Sequence, residues 1–320
     1  MVRRSVLLAS FVALVACGYS GVATTSSPSE APQLADASQD GGAGIDSGLV
    51  REEDPTPIPT GDGSVEYVDA GDPDATAPFD GGVLPGSPGP PLIYVLSTRL
   101  WTFNPVSGQW GGGTSLPANN CPSLDELAVD PYGALFAVGQ GGSALYRVDP
   151  SALTCTAIGA GGMTYPQALA FAPRGTRNPY VEELVGYGAN GDYVRIDRTT
   201  GALSLVKAGV FAGYSVGDLI NVGMKGYVVL TGGTCGTGDC LWEVSLATGD
   251  KIGAAATINA GRQVTGLGHW GGRLYAFGAP DDINRIDPAS PGAAVGMNGP
   301  PGFTNVAYRG AGSRTIAPTQ

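Results

Sequence analysis

One motif recurs five times along the carboxyl-terminal two-thirds of the chain, and its period constrains the fold more than any other feature. Each copy is an apolar-aromatic strand, then an Asp, Asn or Ser, a short turn, and a second strand. The copies read LWTFNPVSGQW from Leu100, LYRVDPSALTCTAI from Leu145, YVRIDRTTGALSLV from Tyr193, LWEVSLATGDKI from Leu241 and INRIDPASPGAAV from Ile283. Their anchors, Asn104, Asp149, Asp197, Ser245 and Asp287, are spaced by 45, 48, 48 and 42 residues. Self-similarity at such a period marks a repeat architecture, in which neighbouring units supply one another's core. The turn chemistry agrees. The Asp or Asn side chain caps the turn, Pro presets the next φ, and Gly108, Gly201, Gly249 or Gly292 is expected in the left-handed conformation. The second copy has no such glycine, reading Asp149-Pro150-Ser151-Ala152-Leu153-Thr154.

Ahead of each copy lies another apolar stretch: LIYVLS, ALFAVG, ELVGYG, GYVVLT and RLYAFG. Ahead of four of these lies one more, with the aligned cores Leu127-Ala128-Val129, Leu169-Ala170-Phe171, Leu219-Ile220-Asn221 and Leu267-Gly268-His269. The first unit lacks this stretch, and the missing piece is expected at the far end of the chain, as Asn305-Val306-Ala307-Tyr308. Units that borrow a strand from the opposite end close a circle. The pattern therefore predicts an all-β fold, a β-propeller of five four-stranded blades over residues 92–310, closed by a carboxyl-terminal strand that completes the amino-terminal blade, with residues 311–320 as a tail. A sandwich explains many short strands but not the displaced one. In general design the blades resemble the NHL, YVTN and kelch-like propeller superfamily, without matching one family's signature.

The amino terminus has the layout of a secretory signal: Arg3 and Arg4, an apolar run from Val6 to Ala16, and Leu14-Val15-Ala16-Cys17. The apolar run is too short for the roughly 30 Å hydrocarbon core, which needs about 20 residues. LVAC resembles the bacterial lipobox, which implies cleavage before Cys17, lipidation of that cysteine and stable anchoring by several acyl chains. Gly18 in place of aspartate points, within that resemblance, to the outer membrane. Residues 18–91 then carry 13 acidic residues against the single Arg51, whereas residues 92–320 carry 15 acidic and 14 basic residues. This Gly-, Ser-, Pro- and Asp-rich stretch reads as an extended, disordered tether with a mean reach of roughly 50 Å. Nearly all the net charge belongs to it. The folded part has no basic stripe to attract phosphate, so nucleic acid is not expected as a partner.

Besides Cys17 there are four cysteines, an even number that reads as disulfides in an exported protein. Cys235 and Cys240 bracket a short loop in the fourth blade, and Cys121 and Cys155 are placed to tie together the two sides of the second. Their spacing lacks the paired short intervals of a zinc site.

Chemistry is harder to find. The lone histidine, His269, falls on an inner strand, where packing or a local hydrogen bond is expected. Polar residues at the starts of inner strands, Asp125, Glu126, Gln167, Asp218 and Asn305, are the candidate ligand mouth, joined on the same face by Asp192, Asp239, Asp281 and Asp282. A glycosidase needs two carboxylates at a defined separation, and on that reading Asp125, Glu126 and Asp218 should converge. Calcium at this acidic mouth is a minor variant, and no other cofactor is expected. The expectation is a monomeric, lipid-anchored binding or protein-interaction module of the cell envelope, with a protein or an envelope glycan as its partner. A glycoside hydrolase or a glycan- or calcium-binding propeller is the alternative.

Overall fold

A computed structural model describes residues 58–59, 65–66, 89–116, 121–258 and 263–320. The signal segment, Cys17 and most of the tether lie outside the described residues. Within the stretch read as unstructured, Ile58–Pro59 pairs antiparallel with Val65–Glu66.

Five four-stranded antiparallel sheets make up the rest, ordered inner to outer along the chain. Blade 2 runs from the inner strand Leu124–Val129 through Leu135–Gly139 and Leu145–Asp149 to the outer strand Thr154–Ile158. Blade 3 begins at Ala168–Ala172, blade 4 at Tyr214–Val222 and blade 5 at Val264–Trp270. Blade 1 comprises Ile93–Leu96, Arg99–Asn104 and Gln109–Ser115, and its inner strand is Gly310–Ser313 from the far end of the chain. Inner strands of successive blades touch around the whole circle, so the molecule is a five-bladed propeller closed by a borrowed strand.

The closing strand is not the expected one. Asn305–Tyr308 lies in a loop, and Gly310–Ser313 pairs instead, with Ala311 opposite Val95 and Ser313 opposite Ile93. Side-chain volume decides between them. A Cβ on Gly310 would sit 2.5 Å from Glu126 Oε1, and one on Gly312 would sit 2.8 Å from Leu127. Only a strand of very small residues fits this close to the axis.

The core lies between blades. Ile220, Val229, Leu241, Leu267 and Leu274 fill the gap between blades 4 and 5, and Ile93, Phe103, Phe277 and Tyr308 fill the gap between blades 5 and 1. Of the tryptophans, Trp101 is buried, while Trp110, Trp242 and Trp270 are half-buried against these inter-blade clusters. In the turns between third and outer strands, Gly108, Gly201 and Gly249 are left-handed as expected. Their amides return to the anchor carbonyls of Asn104, Asp197 and Ser245. Blade 2, lacking the glycine, puts Leu153 at φ 54° in the same role, with its amide on the Asp149 carbonyl. Gly292 is not left-handed. It lies within a short 3-10 turn, Pro291–Ala293, which replaces the repeat's usual turn.

Both expected disulfides form: Cys121 with Cys155, Cα atoms 4.8 Å apart, and Cys235 with Cys240, 5.6 Å apart. The first spans 34 residues and joins the segment leading into blade 2 to that blade's outer strand. Loop-closure entropy for a span of that length predicts that replacing both Cys121 and Cys155 by serine lowers stability by about 4 kcal/mol. Denaturant unfolding of the double variant beside the oxidised protein measures the loss. A loss of under about 1 kcal/mol contradicts it.

Candidate functional site

Two of the candidate residues, Glu126 and Asp218, meet at the channel on the ring's axis. The inner edge of each innermost strand has no neighbouring strand, so its amides and carbonyls face the channel and need partners once water is excluded. Three inner strands carry a bulge at the same aligned position, at Asp125, Gly217 and Thr265, two residues before the cores Leu127, Leu219 and Leu267. A bulge re-aims the next side chain. In that next position the blades supply Gly310, Glu126, Ala168, Asp218 and Gly266 in ring order. Two carboxyls thus share one layer with three small residues.

Glu126 and Asp218 are both 0% exposed. Asp218 Oδ1 accepts the Leu219 amide at 2.6 Å, and its Oδ2 accepts the Leu267 amide from blade 5. The Ala311 amide of the closing strand adds a third hydrogen bond to the carboxylate. Glu126 Oε1 accepts the Leu127 amide at 2.7 Å, and its carboxyl lies against that of Asp218. Burial pushes both groups well above the usual carboxylate range, and the charge of Asp218 raises Glu126 further. Their mutual contact raises Glu126 and lowers Asp218, so of the two Glu126 holds its proton more firmly. The other Glu126 oxygen, Oε2, is buried without a hydrogen-bond partner.

The other candidates do not join them. Asp125 turns outward, 3.3 Å from Arg309, and accepts the Gly141 amide at 2.8 Å. Gln167 is exposed on the rim of a different concavity. Asn305 lies in the loop before the closing strand, left-handed at φ 59°, with its amide donating to Asp281. The acidic loops of this upper face have a repeated structural use. Each holds the segment that leads into the next blade: Asp192 accepts the Gly209 amide at 2.7 Å, Asp239 accepts Val264 at 2.6 Å, and Asp281 accepts Val306 at 2.7 Å. Asp282 lies beside Asn284, which donates to it at 2.8 Å. Among the described residues, no three His, Cys, Asp or Glu side chains converge as metal ligands.

This geometry does not suit glycoside hydrolysis. That reaction needs carboxyl groups about 5 to 10 Å apart with a sugar between them, whereas Glu126 and Asp218 contact each other and are closed off from solvent. The opposite end of the channel is filled as well. After the closing strand, Thr315 donates to Glu182 at 2.6 Å, the Thr315 carbonyl accepts from Asn221 at 3.2 Å, and the Pro318 carbonyl accepts from Gly272. Burial raises Glu182 to about 7.

His269 is fully enclosed on the blade 5 inner strand, and neither ring nitrogen has a hydrogen-bond partner. The expected local hydrogen bond belongs to its main chain, whose amide donates to Ser313 Oγ at 3.0 Å. Burial depresses the imidazole to about 4. The native state thus binds this proton less readily than the unfolded chain does. The associated stability is fully present above about pH 6.5 and is lost as pH falls toward 4, by about 3 kcal/mol in all. Comparing the pH dependence of unfolding in the native protein and His269→Leu checks this; equal slopes between pH 6.5 and 4 would contradict it.

A shallow concavity lies on the upper face between blades 3 and 4. It is a cleft of about 280 Å³ lined by Gln167, Tyr187, Gly188, Tyr214, Ser215 and Val216, among others. Sequence reasoning placed Gln167 on the right face but missed the tyrosines: Tyr187 ends the second strand of blade 3 and Tyr214 begins the inner strand of blade 4, both at strand ends where the repeat carries no polar signal.

Neither a protein-family profile nor a curated protein sequence matches the chain. Solved structures show likeness at low identity. The nidogen/laminin complex is 11% identical over 65% of this chain and 78% of that one, with a TM-score of 0.44. A protein of unknown function from Bacteroides caccae is 13% identical over 70% of this chain and 98% of that one, with a TM-score of 0.40. The PQQ-bound aldose sugar dehydrogenase from Streptomyces coelicolor is 20% identical over 59% and 68%, with a TM-score of 0.37. At these values nothing about ligand or activity carries over, and the propeller assignment rests on this chain's own strand order.

Proposed function

We propose that this chain is an exported, lipid-anchored propeller that acts as a non-catalytic binding module of the cell envelope, anchored through Cys17 and meeting a protein or glycan partner on its upper face. One observation carries the non-catalytic part. The carboxyls best placed for chemistry, Glu126 and Asp218, are enclosed and occupied with main-chain amides of blades 2, 4, 5 and 1. On the same face Asp192, Asp239 and Asp281 hold one blade to the segment leading into the next. What remains open to a partner is the cleft between blades 3 and 4 and the loops around it. The LVAC sequence and the acidic stretch after it support the anchor and the spacer.

The anchor is tested with the full chain expressed in a bacterial host. Wild type should incorporate labelled palmitate and partition with detergent-solubilised membranes. Cys17→Ala should lose the label and move to the soluble fraction, and labelling that persists in the variant would refute the anchor. The binding role is tested by assaying wild type for hydrolysis of a glycoside panel and for retention on envelope glycans and proteins. Turnover abolished by Asp218→Asn in a folded protein would overturn the non-catalytic reading.

A further inference from the structure

Beside the cleft between blades 3 and 4, three aromatic rings surround a lysine. Phe211 lies on the crossover into blade 4, Tyr214 begins that blade's inner strand, Trp242 lies on its third strand and Lys251 begins its outer strand. Lys251 Nζ is 4.8 Å from the ring centroids of Phe211 and Trp242 and 5.2 Å from that of Tyr214. The rings stand at steep angles to one another: 82° for Phe211 and Tyr214, 54° for Phe211 and Trp242, and 85° for Tyr214 and Trp242. They are walls of a box and not a stack. Ring faces carry negative quadrupolar potential, so such a box attracts a cation.

The walls are fixed and the occupant is not. Phe211 is fully buried against Tyr187, ring centroids 4.9 Å apart. The Tyr214 hydroxyl lies 2.9 Å from the Thr234 hydroxyl, and a Cβ on Gly233 would sit 2.5 Å from the Tyr214 ring, so Gly233 lets the ring lie flat on the loop. That loop ends in the Cys235–Cys240 disulfide. Trp242 lies at a break in the register between Leu241 and Glu243. Lys251, in contrast, is an exposed residue on a flexible four-carbon stem. Among the described residues it has no carboxylate partner, because the adjacent Asp250 pairs with Lys207. Its ammonium also finds no hydrogen-bond acceptor there.

We propose that Phe211, Tyr214 and Trp242 form a binding site for a quaternary ammonium group, with Lys251 as its resident, displaceable occupant. Ring faces offer the three N–H groups of a lysine no acceptor beyond the water that reaches its exposed end, whereas a trimethylated nitrogen has none to satisfy and sheds its water more cheaply. The proposal goes beyond the envelope-binding role and depends on neither the anchor nor the channel.

Tetramethylammonium chloride is the probe, with sodium chloride at equal ionic strength as control. In wild type carrying ¹³C-lysine, ring currents should move the Lys251 ε-protons well upfield, and saturating probe should return them toward their ordinary position. Lys251→Ala should bind the probe at least tenfold more tightly than wild type, followed by tryptophan fluorescence, and adding Trp242→Leu should remove that binding. Should Lys251→Ala fail to fold, the wild-type titration decides alone. Lysine signals at ordinary positions, or signals that respond equally to both salts, would overturn the proposal. So would a folded Lys251→Ala protein that does not respond to the probe.

Discussion

Asp218→Asn should lower the unfolding free energy by about 3 to 5 kcal/mol, the usual loss when a buried carboxylate's network is broken. Both Asp218 oxygens accept main-chain amides, from Leu219 and Leu267. An asparagine turns one of those oxygens into an NH₂ group facing an N–H donor, with no water available to either. Glu126→Gln should behave differently although it is one layer-mate away. In the native state Glu126 is the protonated partner, and a glutamine amide can donate to Asp218 in its place. The expected change at neutral pH is within about 1 kcal/mol. The pH dependence gives a further check. Both carboxyls are raised above their unfolded values, so the stability tied to their proton is full below the ordinary carboxylate range and is lost as pH rises through the folded values. Glu126→Gln should flatten that decline. Equilibrium denaturation at several pH values measures all three effects, and an Asp218→Asn protein as stable as wild type would remove the carboxyl pair from its structural role.

Deleting residues 310–320 should abolish the cooperative unfolding transition instead of lowering its midpoint. Without Gly310–Ser313 the strand Ile93–Leu96 loses its inner partner and keeps only Leu100–Phe103, and the inner ends of blades 2 and 5 are left facing an open slot. The tail beyond it also supplies the buried Thr315 and Ala317 at the other end of the channel. Near-ultraviolet circular dichroism and limited proteolysis report the outcome. A synthetic GAGSRTIAPTQ peptide should restore the signal by adding a strand to the exposed edge. A truncated protein that still melts cooperatively near the native midpoint would show that blade 1 does not need its borrowed strand.

The repeat made the blades, their number and their circular closure readable, because strand alternation and turn residues recur at one period. The two disulfides were readable for the same reason, since blade alignment put the cysteines side by side. The closing strand lies five residues beyond its expected place. Val306 and Tyr308 have the apolar alternation of a strand, while Gly310-Ala311-Gly312-Ser313 has none. At the axis the governing quantity is volume, and the signal was the run of small residues already visible on the other inner strands. Glu126 and Asp218 were read as rim residues because polar groups at strand starts usually meet water. The bulges at Asp125 and Gly217 shift the alternation by one and turn them inward. A bulge leaves little trace in a single sequence, although the matching Ala168, Gly266 and Gly310 at that level marked a crowded layer. The aromatic box was invisible because Phe211 and Tyr214 lie outside the repeated motif.

The borrowed strand also sets an order in time. Every partner of Gly310–Ser313 is made before it, and blades 2 to 5 can pair their strands as each hairpin is completed. Blade 1 must wait, its three strands presenting an unpaired edge until nearly the whole ring has been synthesised. Closure therefore depends on the most distant contact in sequence, the kind that slows folding most. A chain carried across a membrane from its amino terminus would spend that interval partly built, with the edge of Ile93–Leu96 open to any passing strand.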